Sequence, residues 1–347
     1  MLKTETATTP RVALTKGRDR YTNIRQALLL VQDDIRLEQA GTILIKPNLT
    51  SVTVPLATTH VDAVRAVLDF LRERTSAEVI VAEGSGSASE SARVGFRNFG
   101  YHDLRDRYGV RLVDLNADDY QEVELYKADF SPIRVRVAKS VMEADFCISI
   151  CPPKTHDSVV ITASIKNLAM GSVIRREAVF VEKLYALAGR LGARPTAARL
   201  PLKLVNWVAN VLGNDKLKVH QGYPVMNLNL YGLAKVLKPD LAVVDGLRAM
   251  EGEGPVYGEE VQLGVALAGT DAVAVDSLVA RLMGFDARQI GYLTYCWEGG
   301  LGQGDVSQVL ILGERMATCT RHFRPHPSYD AQLAWRITDI GRLLDKV

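Results

Sequence analysis

Residues 42–82 read TILIKPNLTSVTVPLATTHVDAVRAVLDFLRERTSAEVIVA. Two short apolar runs, Thr42–Ile45 and Glu78–Ala82, flank the amphipathic stretch Val61–Arg72. Strand, helix, strand at this spacing predicts a parallel sheet with crossover helices. The alternation continues outward with a helix over Ser89–Phe99 and a strand over Val110–Asp114. A second set follows: strands over Asp145–Cys151 (DFCISIC), Asp240–Asp245 (DLAVVD) and Val261–Ala268, a helix over Asp271–Met283 and a strand over Val309–Leu312. This pattern reads as an α/β protein of two α/β lobes with mostly parallel sheets around a central cleft. The N-terminal lobe takes 1–140, the second lobe 141–320, and a C-terminal helical tail 321–347.

Inside the second lobe, 173–213 reads as a helical hairpin insertion, Ala178–Leu191 and Leu200–Leu212, broken at Arg194 and Pro195. Apolar residues recur along both halves at helical spacing, which favours packing on the domain. Trp207 with Arg190, Arg194, Arg199 and Lys203 leaves a lid, or peripheral membrane contact through 178–212, as the alternative.

The chain has 347 residues, 47% of them hydrophobic and 24% charged, enough to bury a sizeable core. A net charge of +2 lacks the electrostatic footprint of a nucleic-acid-binding protein, so no nucleic acid partner is expected. The start, MLKTETATTPRVAL, has no apolar signal core, and four cysteines are too sparse for a disulfide framework. Both point to the cytoplasm.

Polar residues gather where strands end, the edge at which open α/β sheets bind ligands. Lys46-Pro47-Asn48 follows the first strand, and Glu83-Gly84-Ser85-Gly86-Ser87 follows the next. The glycines of that loop would let backbone amides approach an anion, or simply form a capped turn. After DFCISIC, Pro152 and Pro153 force an exit from the sheet before Lys154 and His156, and Lys166-Asn167 comes ten residues later. Lys46, Lys154 and Lys166, each beside a polar partner, predict convergence on something negative. His156 could exchange a proton near neutrality. The second half supplies Asp245, Glu251, Asp271 and Asp276. Asp271 reads first as a helix cap, and Asp276, on a buried helix face, as a carboxylate bonded to backbone. His156, Lys154, Lys166 and Asp245 are expected in one cleft.

Cys147 and Cys151, four residues apart on one strand, stand about 13 Å from each other, too far to share one zinc ion. No cysteine array for an iron–sulfur cluster is present in the sequence. His322 and His326 have helical spacing, but Pro325 and Pro327 break the helix that would align them.

Several stretches together resemble the domain of unknown function 362 family, prokaryotic proteins often described as iron–sulfur-associated. They are IKPNLTS at 45–51, TTHVDAVRAVLDFL at 58–71 and ADFCISICPPKTHDSVVITASIKNLAMGSV at 144–173. In the second half they are HQG at 220–222, KPDLAVVDGLRAMEGEGPVYG at 238–258, GTDAVAVDSLVARLMG at 269–284 and GLGQGD at 300–305. The resemblance implies a polar set of Lys46, Asn48, His60, Lys154, His156, Lys166, Asn167, His220, Asp245, Glu251, Asp271 and Asp276. Many relatives carry a ferredoxin-like module with clustered cysteines; this chain lacks that array, so no intrinsic ferredoxin-type iron–sulfur cluster is expected. The chain is also fainter in its similarity to the nickel-pincer lactate racemase family, which joins two α/β lobes around lysines and histidines.

Two functions are consistent with these residues. The first is an enzyme acting on a small anionic molecule, a carboxylate or phosphate, by proton transfer or redox chemistry. His156, Lys154, Lys166 and His220 would be its catalytic groups, and Lys46, Asn48, Glu83, Gly84, Ser85, Asn167 and Glu251 would bind the ligand. Asp245, Asp271 and Asp276 would be available to a divalent metal, and a redox protein partner or a homo-oligomer would fit this reading. The second is a non-catalytic binding or assembly protein that uses the helical hairpin to contact a partner.

Overall fold

The computed structural model describes residues 9–86, 90–176 and 214–337. In chain order the first half gives β1 (Arg11–Lys16), α1 (Arg20–Leu30), β2 (Thr42–Lys46), α2 (Val61–Arg72), β3 (Glu78–Glu83), α3 (Ala92–Asn98), α4 (His102–Tyr108), β4 (Arg111–Asp114), β5 (Tyr120–Tyr126), β6 (Pro132–Ala138) and α5 (Lys139–Met142). Then come β7 (Phe146–Cys151), β8 (Lys154–His156), β9 (Val160–Thr162), α6 (Ser164–Ser172), α7 (Asp215–Val219), α8 (Tyr223–Leu237), β10 (Leu241–Gly246), β11 (Ala249–Glu251), β12 (Glu259–Val261), β13 (Val265–Gly269), α9 (Ala272–Leu282), α10 (Gly291–Glu298), β14 (Leu310–Gly313), α11 (Met316–Cys319) and α12 (Tyr329–Gln332).

Eight strands form one sheet in the order β14-β1-β13-β10-β7-β2-β3-β4. Five of its seven pairings are parallel, β13 alone running against both its neighbours, so the α/β class and the mostly parallel sheet are as expected. Such a sheet must be covered on both faces. Ile43, Ile45, Ile148, Ile150 and Val243 point to one side, against Ile24 and Leu28 of α1 and Val64, Val67 and Phe70 of α2. The alternate residues Leu44, Cys147 and Val244 point to the other, against Leu168 of α6 and Val273 and Leu278 of α9.

The division near 140 does not separate two sheets. Ile43–Lys46 of β2 pairs with Phe146–Ser149 of β7, and β1 lies between β13 and β14, so strands from both halves are joined in one sheet. The run Val261–Ala268 is not one strand: Gly264, at φ +73°, turns the chain between β12 and β13. Strand β12 belongs to a smaller sheet, β12-β11-β8-β9, lying beside the main one. Within 321–337 the regular element is the single turn Tyr329–Gln332, because Pro325 and Pro327 interrupt what precedes it. The expected hairpin Ala178–Leu212 lies outside the described residues. Its flanks meet: Arg175 and Asn214 form an antiparallel bridge.

This topology places a crevice at one sheet edge. From β2 the chain builds outward to β3 and β4, returns to β7 on the other side of β2, and proceeds to β10. The strand order therefore reverses between β2 and β7, and open α/β sheets bind ligands at the carboxyl ends of the strands flanking such a point.

Candidate functional site

A cavity of about 360 Å³ opens at that point. Strand β2 ends in Lys46 and β3 in Glu83, helix α6 contributes Lys166 and Asn167, β8 ends in His156, and the α7 region brings Lys216 and His220; all of them line the cavity, with Asn48 and Gly84.

A buried polar network forms its floor. The Lys46 ammonium donates to Glu83 Oε2 at 2.8 Å, to Asn167 Oδ1 at 3.0 Å and to the Pro47 carbonyl at 2.9 Å. An ammonium has three protons, so Lys46 has none left for a ligand. Asn48 donates to the same Asn167 Oδ1 at 2.9 Å. Lys154 lies behind this layer and is likewise saturated, donating to Asn48 Oδ1 at 2.7 Å, to the Ala57 carbonyl at 2.9 Å and to Thr50 Oγ1 at 3.2 Å. Its burial pulls its pKa down to about 7. The expectation that three lysines converge on a ligand thus resolves into two internal cations and one that remains free.

That one is Lys166. Its side chain is buried, and its ammonium has no hydrogen-bond partner among the described residues. Burial lowers its pKa to about 8, with Asp157 acting in the opposite direction. Helix α6 holds it in place through Asp276, whose Oδ1 accepts from Ser164 N–H at 2.9 Å and Ser164 Oγ at 2.6 Å, and whose Oδ2 accepts from Ile165 N–H at 2.9 Å.

Two histidines complete the cavity. His156 is buried, and burial first, then the Lys166 charge, pushes its pKa down to about 3, so the ring is neutral at pH 7. Its Nδ1 lies 3.0 Å from Ser158 N–H, a donor, and 2.9 Å from Asp157 Oδ1, an acceptor. A neutral ring answers only one of them at a time, and the choice decides whether Nε2 carries the proton. His220 is exposed, yet the desolvation around its ring and the Lys166 charge lower its pKa. Its Nδ1–H donates to the Lys216 carbonyl at 2.7 Å, which leaves the Nε2 lone pair available.

The His156 geometry predicts an acid response. The folded pKa near 3 lies below the ordinary 6.5, so the unfolded chain binds more protons between these values and stability falls as pH drops through that window. Chemical denaturation from pH 7 to 3 should show the wild type losing on the order of 4 kcal/mol more than His156→Gln. Parallel stability curves would show that the ring is not held neutral in the folded state.

The glycine-rich loop borders the cavity through Gly84 and Gly86. Its carbonyls, not its amides, face the cations: Lys216 donates to Gly84 O at 2.6 Å, Arg175 to Gly86 O at 2.6 Å, and Gly86 N–H is spent on Leu49 O. Glycine is required here for closeness, since a Cβ on Gly84 would lie 2.3 Å from the Gly171 carbonyl. Ser85 is buried behind the loop, its carbonyl accepting from Asn116 at 3.2 Å.

Four other candidates lie away from the cavity. Asp245 is paired with Arg20 Nε at 2.6 Å, on the α1 side of the sheet, because residues 241, 243 and 245 of β10 share that face while α6 packs on the opposite one. Asp271 caps α9 through Ala274 N–H at 2.9 Å and also accepts from Gln303 N–H. Glu251 accepts from Arg324 N–H at 3.0 Å. With Asp276 bound to α6, the three aspartates do not form a metal cluster, and among the described residues no three His, Cys, Asp or Glu side chains are grouped to hold an ion. The cysteines do not fit an iron–sulfur cluster either. Cys147 and Cys151 both lie on β7, Cys296 is on α10 and Cys319 on α11, and all four are buried and free. Burial pushes the Cys147 thiol up to about 12.

Lys216, Arg175, Asn214 and Asp157 also line the cavity and are not singled out by the sequence. Lys216 had a readable signal: it stands four residues before His220, one helical turn, on the same face. Burial brings its pKa to about 7. Arg175 and Asn214 carry no such mark.

A curated relative, the Thylakoid-associated protein sll1697 of Synechocystis sp., is 26% identical over 250 residues, covering 72% of this chain. The chain spans 64% of that protein's length. Among solved structures, the lactate racemase apoprotein from Thermoanaerobacterium thermosaccharolyticum matches 75% of this chain and 54% of its own, at 14% identity and a TM-score of 0.40. Among the described residues no helix is long and apolar enough to cross a membrane. With the family model matched over residues 43–281, the chain belongs to the family described as Domain of unknown function (DUF362).

Proposed function

We propose that the protein is an enzyme that binds a small carboxylate or phosphate through Lys166 and moves a proton on it with His220 and His156. The observation that carries this reading is Lys166, a buried side chain whose ammonium reaches the cavity without a hydrogen-bond partner among the described residues, in a cavity lined by two histidines. An unpaired buried cation is costly unless a ligand satisfies it. Among the cavity's ionisable side chains, Lys46, Lys166, Arg175 and Lys216 outnumber Glu83 and Asp157, which favours an anion. His220, its Nδ1–H fixed on a carbonyl, presents Nε2 as a base. His156, able to carry its proton on either nitrogen, is suited to the opposite transfer.

Thermal denaturation against a panel of small carboxylates and phosphate esters tests the binding. At a hundredfold excess over Kd, the right anion stabilises the wild type by about 2.7 kcal/mol, and Lys166→Met abolishes the effect. Solvent deuterium incorporation into that anion, followed by NMR, tests the chemistry. His156→Gln and His220→Gln should bind the anion but stop exchange. Equal binding by Lys166→Met would refute the anion site, and binding without exchange or conversion in the wild type would leave a binding protein.

A further inference from the structure

Beyond the cavity, the hairpin carrying His156 is gripped from behind by the C-terminal part of the chain. Gln332 is 1% exposed. Its Nε2 donates to the His156 carbonyl at 2.8 Å, and its Oε1 accepts from the Val160 amide. His156 and Val160 are directly opposed across the β8–β9 pair. One carboxamide therefore serves both ends of the four-bond turn that presents His156, Asp157 and Ser158. The same Nε2 is 2.8 Å from Ser328 Oγ, which donates in turn to the Asp157 carbonyl at 2.9 Å.

The hairpin has reason to need a grip. Val160 has φ +65°, a left-handed conformation that a β-branched residue adopts only when its surroundings hold it there. The gripping segment is itself anchored. Trp335 is buried, stacks edge-on against Tyr295 of α10 with ring centroids 5.1 Å apart, and donates from Nε1 to the Gln289 carbonyl at 2.7 Å. Ser328, Gln332 and Trp335 all lie beyond residue 281, where the family match ends.

We propose that this segment is a clasp and that Gln332 is the positioning residue for His156: it fixes the backbone on both sides of the turn, and so the aim of the ring, without touching the cavity. Its purpose rests on the acid–base reading of His156, but its test does not need a substrate. A primary amide suits the role because it donates and accepts at once; methionine of similar length does neither, and glutamate keeps only the acceptor.

In the full chain, Gln332→Met should raise the hydrogen-exchange rate of the Val160 amide roughly tenfold or more, and shift the 15N resonances of the His156 ring as its tautomer balance changes. Gln332→Glu should keep Val160 protected while still perturbing His156. Anion affinity at Lys166, where an anion binds, should change by less than about twofold, as expected for a residue outside the cavity. If Gln332→Met does not fold, the glutamate variant decides alone. Unaltered Val160 exchange and His156 resonances in the folded variants would overturn the clasp. Failure of every anion to bind would instead count against the proposed function and leave the clasp standing.

Discussion

Lys154→Met should unfold at distinctly lower denaturant than the wild type, while Lys166→Met should be as stable or more so. The two lysines are twelve residues apart, both buried, and both held below their ordinary pKa by that burial, yet their surroundings differ. Removing the Lys154 ammonium leaves the buried Ala57 carbonyl without its side-chain donor and takes one of two donors from Asn48 Oδ1, which keeps the Thr50 hydroxyl at 2.9 Å. An orphaned buried acceptor costs about 1–3 kcal/mol, and a loss of that order is expected. Lys166 has no such partners to abandon. Replacing it removes a charge that burial penalises, for a gain on the order of 1–3 kcal/mol at pH 7. The gain has a pH signature. The folded pKa is about 8 against 10.5 in the unfolded chain, so the penalty is complete below pH 8 and disappears as pH rises to 10.5. Urea titrations of both variants at pH 7 and pH 10 check the whole pattern. Equal destabilisation by both substitutions would mean that Lys166 has structural partners after all.

Gly171→Ala should be strongly destabilising. Alanine ordinarily improves a helix interior by about 1 kcal/mol over glycine. At Gly171 in α6 the new Cβ would fall 1.9 Å from Lys46 Cε and 2.1 Å from Nζ, and 3.0 Å from Glu83 Oε1. Lys46 would have to leave Glu83 and Asn167, and parting a buried ion pair costs about 3–5 kcal/mol, far more than the helix gains. A net loss of about 3 kcal/mol is expected, with the cavity floor disordered. A double-mutant cycle identifies the cause: in a Lys46→Ala background the same substitution should cost little. Full additivity would place the clash elsewhere.

These two predictions show which parts of the site could be read along the chain. Thr42–Ile45, Val61–Arg72 and Glu78–Ala82 announce β2, α2 and β3 because each is a compact run with one period. The alternation in YQEVELY and PIRVRVA, which makes the β5–β6 hairpin, is interleaved with charges and passes for loop. Site residues at strand ends are legible as a class, since prolines and glycines mark where chains leave a sheet. Their partners are not. Lys46 and Lys154 have the same local setting as a ligand-binding lysine, and what removes them from that role arrives from positions 83, 167 and 57, which only the folded chain brings near. Lys166 differs from them by what is missing around it, and a sequence does not display missing neighbours.

The position of β1 bears on how the chain is made. Its neighbours are β13 and β14, at residues 265–269 and 310–313, while β2, β3, β4 and β7 pair among themselves. Strand β1 thus leaves the ribosome well before either of its partners. At roughly 5–20 residues per second it waits about 15–60 s for β14 to be synthesised. During that interval the nascent sheet presents an open edge, and RVALTK presents an unpaired strand that can be captured by another chain. Its terminal Arg11 and Lys16 then work as gatekeepers, keeping a short apolar segment soluble until β13 and β14 arrive.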